Sequence, residues 1–305
     1  MNEFVALSLA PMLTAILAAV SCTLIGNFLV LRRQSLIGDA MSHVALPGIV
    51  AGFLLTGGTA PLAMLGGAIA AAVLSVALIE LVGRTSRLEV GAAMGAVFTG
   101  MFALGVLMLE QSDTSSVHLD VEHALYGNLE NLIWLDGTSW AALLDPQALT
   151  TIPRELPFLA LVTGALAVLI ALFYKELRLV TFDPDFARAI GIRAGLVGFI
   201  IVVAAAITAV SAFSAVGSIL VIAMYVCPAA AARLLTDRLD RQIVWSAGIA
   251  ALCGGLGFVA AAYVPVWLGF QSALSAAGMI AVCSGLAVLV AAVAGPRHTR
   301  HRSAA

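Results

Sequence analysis

The chain has 305 residues, of which 62% are hydrophobic and only 10% charged, and its formal net charge is −2. So little polar surface cannot cover a water-soluble body of this size, and the composition describes a polytopic membrane protein. It also excludes the basic field that nucleic-acid binding requires.

Glu3 is the sole charge ahead of the first apolar run, and no basic cluster precedes it, which argues against a cleavable signal peptide. Nine apolar segments of roughly membrane-spanning length follow: Leu9–Leu31, Ile37–Thr56, Pro61–Val82, Val90–Leu109, Leu156–Tyr174, Ala194–Phe213, Val216–Leu235, Ile243–Val264 and Gln271–Ala294. They predict an all-α polytopic membrane protein, with a transmembrane body over residues 1–295 and a basic tail over 296–305.

In the first segment Asn27 is polar at depth and reads as a helix–helix hydrogen bond. The second is unusual at its start. Arg32 to Gly52 reads R-R-Q-S-L-I-G-D-A-M-S-H-V-A-L-P-G-I-V-A-G. Asp39 and His43 stand four residues apart, one turn along one face of a helix. Pro47 removes the hydrogen bond to the carbonyl of His43 and predicts a kink. A carboxylate, an imidazole and a freed carbonyl on one side of a bent helix make part of a cation site. Ionisable groups within membrane segments are costly and mark ion paths, and this pair suits a divalent transition metal. Two protein ligands do not close such a site, so a carbonyl, water or a second copy of the chain must complete it. The plainer alternative is that Asp39 caps a helix N-terminus.

Glu80 and Glu89 flank a turn carrying Arg84 and Arg87, and read as interfacial ion pairs of small worth. Residues 110–155 form an acidic loop on one side of the membrane. Its His118, Asp120, Glu122 and His123 carry metal-capturing chemistry but fit neither a helix face nor a strand face cleanly, and read first as solvated polar surface, with metal contact as the second reading. On the other side, residues 175–193 read K-E-L-R-L-V-T-F-D-P-D-F-A-R-A-I-G-I-R. Asp183 and Pro184 start a helix there and Gly191 stops it, predicting a short amphipathic helix near 184–190 that lies flat on the membrane. In the seventh segment Pro228 predicts a kink, and Phe213–Gly217 allows a short re-entrant start. Cys22, Cys227, Cys253 and Cys283 stand singly in apolar runs and read as small core residues.

Strict alternation of the nine segments places every lysine and arginine except Arg154 on one side. The positive-inside rule makes that side cytoplasmic, with the N-terminus outside and the C-terminus inside. The sole lysine, Lys175, follows Tyr174, so no G-x-x-x-x-G-K-[ST] phosphate loop exists and the chain hydrolyses no nucleotide by that route. Neither H-E-x-x-H nor G-x-S-x-G occurs, and His118 to His123 is one residue too long for the inverted zinc-protease motif.

The stretch V-L-R-R-Q-S-L-I-G-D-A-M-S-H-V-A-L-P-G closely resembles the signature of the ABC-3 family, the permeases of bacterial manganese, zinc and iron importers. Three further segments resemble that family in order: A-L-Y-G-N-L-E-N (124–131), L-V-T-F-D-P-D-F-A-R-A-I-G-I (179–192) and V-G-S-I-L-V-I-A-M-Y-V-C-P-A-A-A-A-R-L-L (216–235). The resemblance implies a type II permease fold, similar to the vitamin B12 and siderophore class, in the bacterial inner membrane. It implies two permease copies or paralogues forming a path at their interface, and separate ATP-binding cassette subunits below. A periplasmic or lipid-anchored binding protein would deliver the metal. On that resemblance Asp39 and His43 face the path. Asp183, Pro184, Asp185, Phe186, Ala187, Arg188, Ala189 and Gly191 form the coupling helix that meets the ATPase. The phrase H-L-D-V-E-H-A-L-Y-G-N-L-E-N looks more like the manganese/iron branch than the zinc branch. The implied function is ATP-driven import of a divalent metal, manganese first, by alternating access; the metal is cargo and no covalent cofactor is implied.

Two other readings stand beside it. One is a proton-coupled secondary metal transporter, with Asp39 carrying the proton; paired acidic half-helices in two repeats would favour it, and no such repeat is visible. The other is a permease of the same fold for a metal chelate, which an apolar, aromatic pocket in place of Asp39 and His43 would favour.

Overall fold

The computed structural model describes residues 4–34, 37–56, 61–85, 90–111, 129–137, 139–267, 269 and 274–295, and all regular structure among them is helical. A π-helical turn, Val5–Leu9, runs directly into α1 (Ala10–Leu31). Then follow α2 (Ile37–Thr56), α3 (Pro61–Thr85), α4 (Val90–Gln111), the short α5 (Pro146–Leu149), α6 (Glu155–Leu172), α7 (Tyr174–Phe182) and α8 (Pro184–Ala189). The chain ends with α9 (Ala194–Val216), α10 (Ser218–Leu235), α11 (Leu239–Trp267) and α12 (Ala276–Ala294).

Helix α1 is the central post. Ala15, Ala18, Ala19, Cys22, Ile25, Phe28 and Leu29 are all buried, and the helix packs against α6, α9, α10 and α11. Lipid offers no hydrophobic drive between helices, so close approach and interhelical hydrogen bonds must supply it. Both are present. Thr23 Oγ1 donates to the Met224 carbonyl (2.7 Å), and the Tyr225 hydroxyl donates to the Ala205 carbonyl (2.8 Å). Asn27 does what its sequence context predicts. Its amide donates to Ser246 Oγ (2.7 Å) and to the Thr23 carbonyl (2.8 Å), and its oxygen accepts from Gln242 Nε2 (3.0 Å).

Two helix groups flank this post. Helices α2, α3 and α4 pack on one another, as do α10, α11 and α12, and α9 bridges α1 to α2 and α3. The side chains that point away from these contacts are apolar: Leu161, Leu172, Val244 and Val293 are each at least 70% exposed. On a soluble protein such a belt would drive aggregation; in a bilayer it is the lipid contact. On the side where α6 begins, residues 129–137 and 139–152 cap α1. Trp134 is buried against Val5, Leu9 and Ala10, its N–H donates to the Ala6 carbonyl (3.0 Å), and its indole N–H donates to the Ala148 carbonyl (2.9 Å).

Among the described residues, seven helices are long and apolar enough to cross a membrane. The other two expected segments give shorter apolar stretches, Val44–Thr56 in α2 and Leu220–Leu235 in α10. Three details differ from expectation. The fifth segment ends at Leu172, and an additional helix, α7, follows it. No re-entrant piece precedes the seventh, because α9 continues to Val216 and only Gly217, at φ 78°, separates it from α10. The ninth helix starts at Ala276 rather than Gln271. Residues 112–128, with His118, Asp120, Glu122 and His123, lie outside the described residues, as do Arg87, Glu89 and the basic tail.

Candidate functional site: the α2 helix and the α7–α8 hairpin

Asp39 and His43 both lie on α2, one turn apart, in an unbroken helix that includes Pro47. Their side chains lie outside the described residues; the helix that carries them is well fixed. Ile37, Ala40 and Val44 recur at helical spacing and are buried, and α2 packs against α3, α4, α9 and α10. Near mid-helix the packing is backbone to backbone. A Cβ on Gly48 would strike the Gly67 carbonyl, and a Cβ on Gly67 would strike the Gly48 carbonyl. On the opposite neighbour, a Cβ on Gly105 would come within 2.8 Å of the Pro47 ring and nitrogen. Glycine at these places lets α3 and α4 hold α2 on both sides of its proline.

The second constellation is complete. Asp183 Oδ1 accepts from the Phe186 N–H (2.9 Å), and Pro184 occupies the first turn, where its missing N–H costs nothing. The helix stops in a Schellman motif. Ile192 N–H donates to the Ala187 carbonyl (2.9 Å), Gly191 N–H donates to the Arg188 carbonyl (3.0 Å), and Gly191 takes φ +89°. Ala187 is fully buried in a small cluster with Val180 and Ala194, which seats α8 on α7 and α9. Asp185 and Arg188 pair across one exposed turn (2.7 Å), a contact of little energetic weight.

What remains outward is apolar. Phe182, Phe186 and Ile190, spaced by four, are each about half exposed (51%, 52% and 51%). Beside them a groove of about 740 Å³ runs between α7 and the α10–α11 turn, lined by Tyr174, Arg178, Asp183, Asp237 and Arg238 among others. The face of α8 turned away from the rest of the chain thus combines an apolar outer row with a neighbouring charged groove. The sequence shows the start and stop of α8. It does not show α7, whose nine residues carry too few apolar positions to stand out as a segment.

The profile of the ABC 3 transport family matches residues 5–136 and 139–295. The manganese transport system membrane protein MntD of Bacillus subtilis is 38% identical over 273 residues, 90% of this chain and 87% of that one. The zinc transport system membrane protein TroD of Treponema pallidum is also 38% identical, over 73% of this chain and 58% of its own length. Among solved structures, PsaBC from Streptococcus pneumoniae in complex with Fab superposes with a TM-score of 0.76 at 25% identity, covering 97% of this chain and 94% of that one. The signature around Asp39 and His43, the helical architecture and the family match agree: the chain belongs to the ABC 3 transport family.

Proposed function

We propose that this chain is the membrane-spanning permease subunit of an ATP-driven importer of divalent metal ions, with manganese as the leading cargo. The observation that carries this is the 38% identity to a manganese transport system membrane protein through about nine-tenths of both chains. The likeness to a zinc system protein keeps zinc within the substrate class, and iron belongs there on ligand chemistry, since one Asp and one His accept all three metals.

In this reading α2 and α10 complete nine spans, the N-terminus is outside, and α7 and α8 lie in the cytoplasm. Two permeases, identical or paralogous, meet with Asp39 and His43 at their interface. Separate ATPase subunits grip Phe182, Phe186 and Ile190, and a binding protein delivers the ion from outside. ATP-driven closure of the ATPases moves α8 and opens the interface alternately to each side. The Asp39–His43 contact is transient, because tight binding would slow release.

The test is uptake of radioactive manganese and zinc in cells lacking their own importers and carrying the full transport operon. Asp39→Ala and His43→Ala are each expected to abolish uptake at unchanged membrane abundance, and loss of the ATPase to do the same. Normal uptake in both variants would remove the pair from the ion path. Uptake that survives loss of the ATPase and follows a proton gradient would overturn the importer reading itself.

A further inference from the structure

A cavity of about 650 Å³ opens where α1 and α3 end and α2 and α9 begin, on the face that carries α8. Helix ends of both polarities line it, the C-termini of α1, α3 and α7 and the N-termini of α2, α4, α8 and α9, so their dipoles largely offset one another. Side chains therefore set the sign. Arg32, Arg33 and Arg188 line the cavity with Glu80 as the one carboxylate among the described lining residues. The remaining wall is largely apolar, including Ile79 and Phe199.

Arg32 is the group that asks for a ligand. Its Nε donates to Gln34 Oε1 (3.1 Å), while Nη1 is buried with no hydrogen-bond partner among the described residues. Burial lowers its pKa, yet a guanidinium keeps its proton in any protein environment, so the charge stays. An unpaired donor on a half-buried cation is costly unless an anion answers it. The surroundings are shaped to leave that group in place. Gly198 offers no Cβ, and one built there would sit 2.9 Å from Arg32 Nη2. Arg33 adopts φ 57°, rare for a residue with a side chain, and this turn brings consecutive arginines to one cavity.

We propose that this cavity binds a phosphate group through Arg32, and that the group is presented by the headgroup of an anionic phospholipid. A planar guanidinium matches a phosphate oxygen pair. The level of the helix ends is the level of the headgroups, and the apolar part of the lining suits the start of an acyl chain, which free phosphate would leave wet. Pro184 and Arg188 of α8 share the cavity, so the bound headgroup touches the helix assigned above to the ATPase. The orientation proposed above names the cytoplasmic leaflet as the source; the site does not depend on it.

The experiment is native mass spectrometry of the full chain released from nanodiscs of phosphatidylglycerol mixed with phosphatidylcholine. Nanodiscs expose both leaflets, so neither a reversed orientation nor a wrong cargo alters the result. Wild-type protein is expected to retain phosphatidylglycerol selectively. Arg32→Gln and Gly198→Ala are each expected to lower retention by about tenfold or more, the scale of one charge-assisted bond. Gly198→Ala keeps the arginine and only crowds it, so it stands as the test if Arg32→Gln does not fold. Arg241→Gln, which removes a charge on the same face outside the cavity, is expected to retain lipid normally. Equal losses in Arg32→Gln and Arg241→Gln would show diffuse attraction and overturn the site, as would wild-type retention in Gly198→Ala. Binding of inorganic phosphate in delipidated detergent, lost in Arg32→Gln, without selective lipid retention would overturn the lipid assignment.

Discussion

Gly48 of α2 and Gly67 of α3 touch through their backbones, each occupying the space where the other's Cβ would stand. The contact fixes how deep α2 sits beside α3, and therefore where Asp39 and His43 are held. A side chain at either glycine has to push the helices apart, and overpacking of a tight contact costs about 1–3 kcal/mol or more. Gly67→Val is expected to lower the detergent melting temperature by several degrees and to cut metal uptake at least as strongly as His43→Ala. Gly66→Val, one residue away with open space around it, is expected to leave both near wild type.

The polar cluster of Asn27, Ser246 and Gln242 ties α1 to α11 across more than 200 residues of sequence. Replacing Asn27 with Leu leaves Gln242 and Ser246 without their partner, at a cost of about 1–3 kcal/mol. The double variant Asn27→Leu/Gln242→Leu is expected to recover part of that loss, because no polar group then remains stranded at that pair. A double-mutant cycle on thermal unfolding measures the coupling directly. Additive losses would mean the cluster contributes no pairwise energy.

Phe186 is half exposed and is hydrogen-bonded through its backbone, its N–H donating to Asp183 Oδ1 and its carbonyl accepting from the Ile190 N–H. Phe186→Asp is therefore expected to leave the permease folded while removing an apolar anchor from the outer row of α8. Co-purification with the ATPase should fall at least about tenfold, since truncating an interface anchor commonly costs 2 kcal/mol or more. Unchanged co-purification would place the docking surface elsewhere.

Asp183→Ala removes the cap of α8, worth about 1 kcal/mol. Amide exchange in 185–190 is expected to rise about fivefold with the transmembrane helices unaffected. Asp183→Ser, which keeps an acceptor at the same place, is expected to restore most of the protection.

Much of this was written locally. The Asp183–Pro184 start and the Gly191 stop are short-range chemistry, so α8 is legible to within one residue, and apolar runs mark the long helices. Asn27 announces its need for a partner by being polar in a membrane segment. What the sequence conceals is which partner answers. Gln242 sits in the first turn of α11, where a polar residue reads as interfacial, and only the packing of α1 on α11 makes it Asn27's acceptor-side neighbour. The α7 helix is hidden because its amphipathic nine residues resemble a solvated loop. The α9–α10 junction misleads for a different reason. Phe213–Gly217 looks like an irregular piece, but one residue of positive φ, Gly217, is enough to separate the two helices, and both run up to it. Arg32 reads as one more positive-inside marker, and its burial appears only when α1, α3 and α9 converge.

That single-residue joint has a mechanical meaning. Helix α9 is a strut of about 35 Å at 1.5 Å per residue, seated at one end on α8 through the Ala187, Val180 and Ala194 cluster. At the other end it meets α10 with no slack to absorb displacement. Gly217 alone joins it to α10, and α10 lies against the central post and against α2. The chain thus contains a continuous packed path, jointed at one residue, running from α8 to the helix that carries Asp39 and His43.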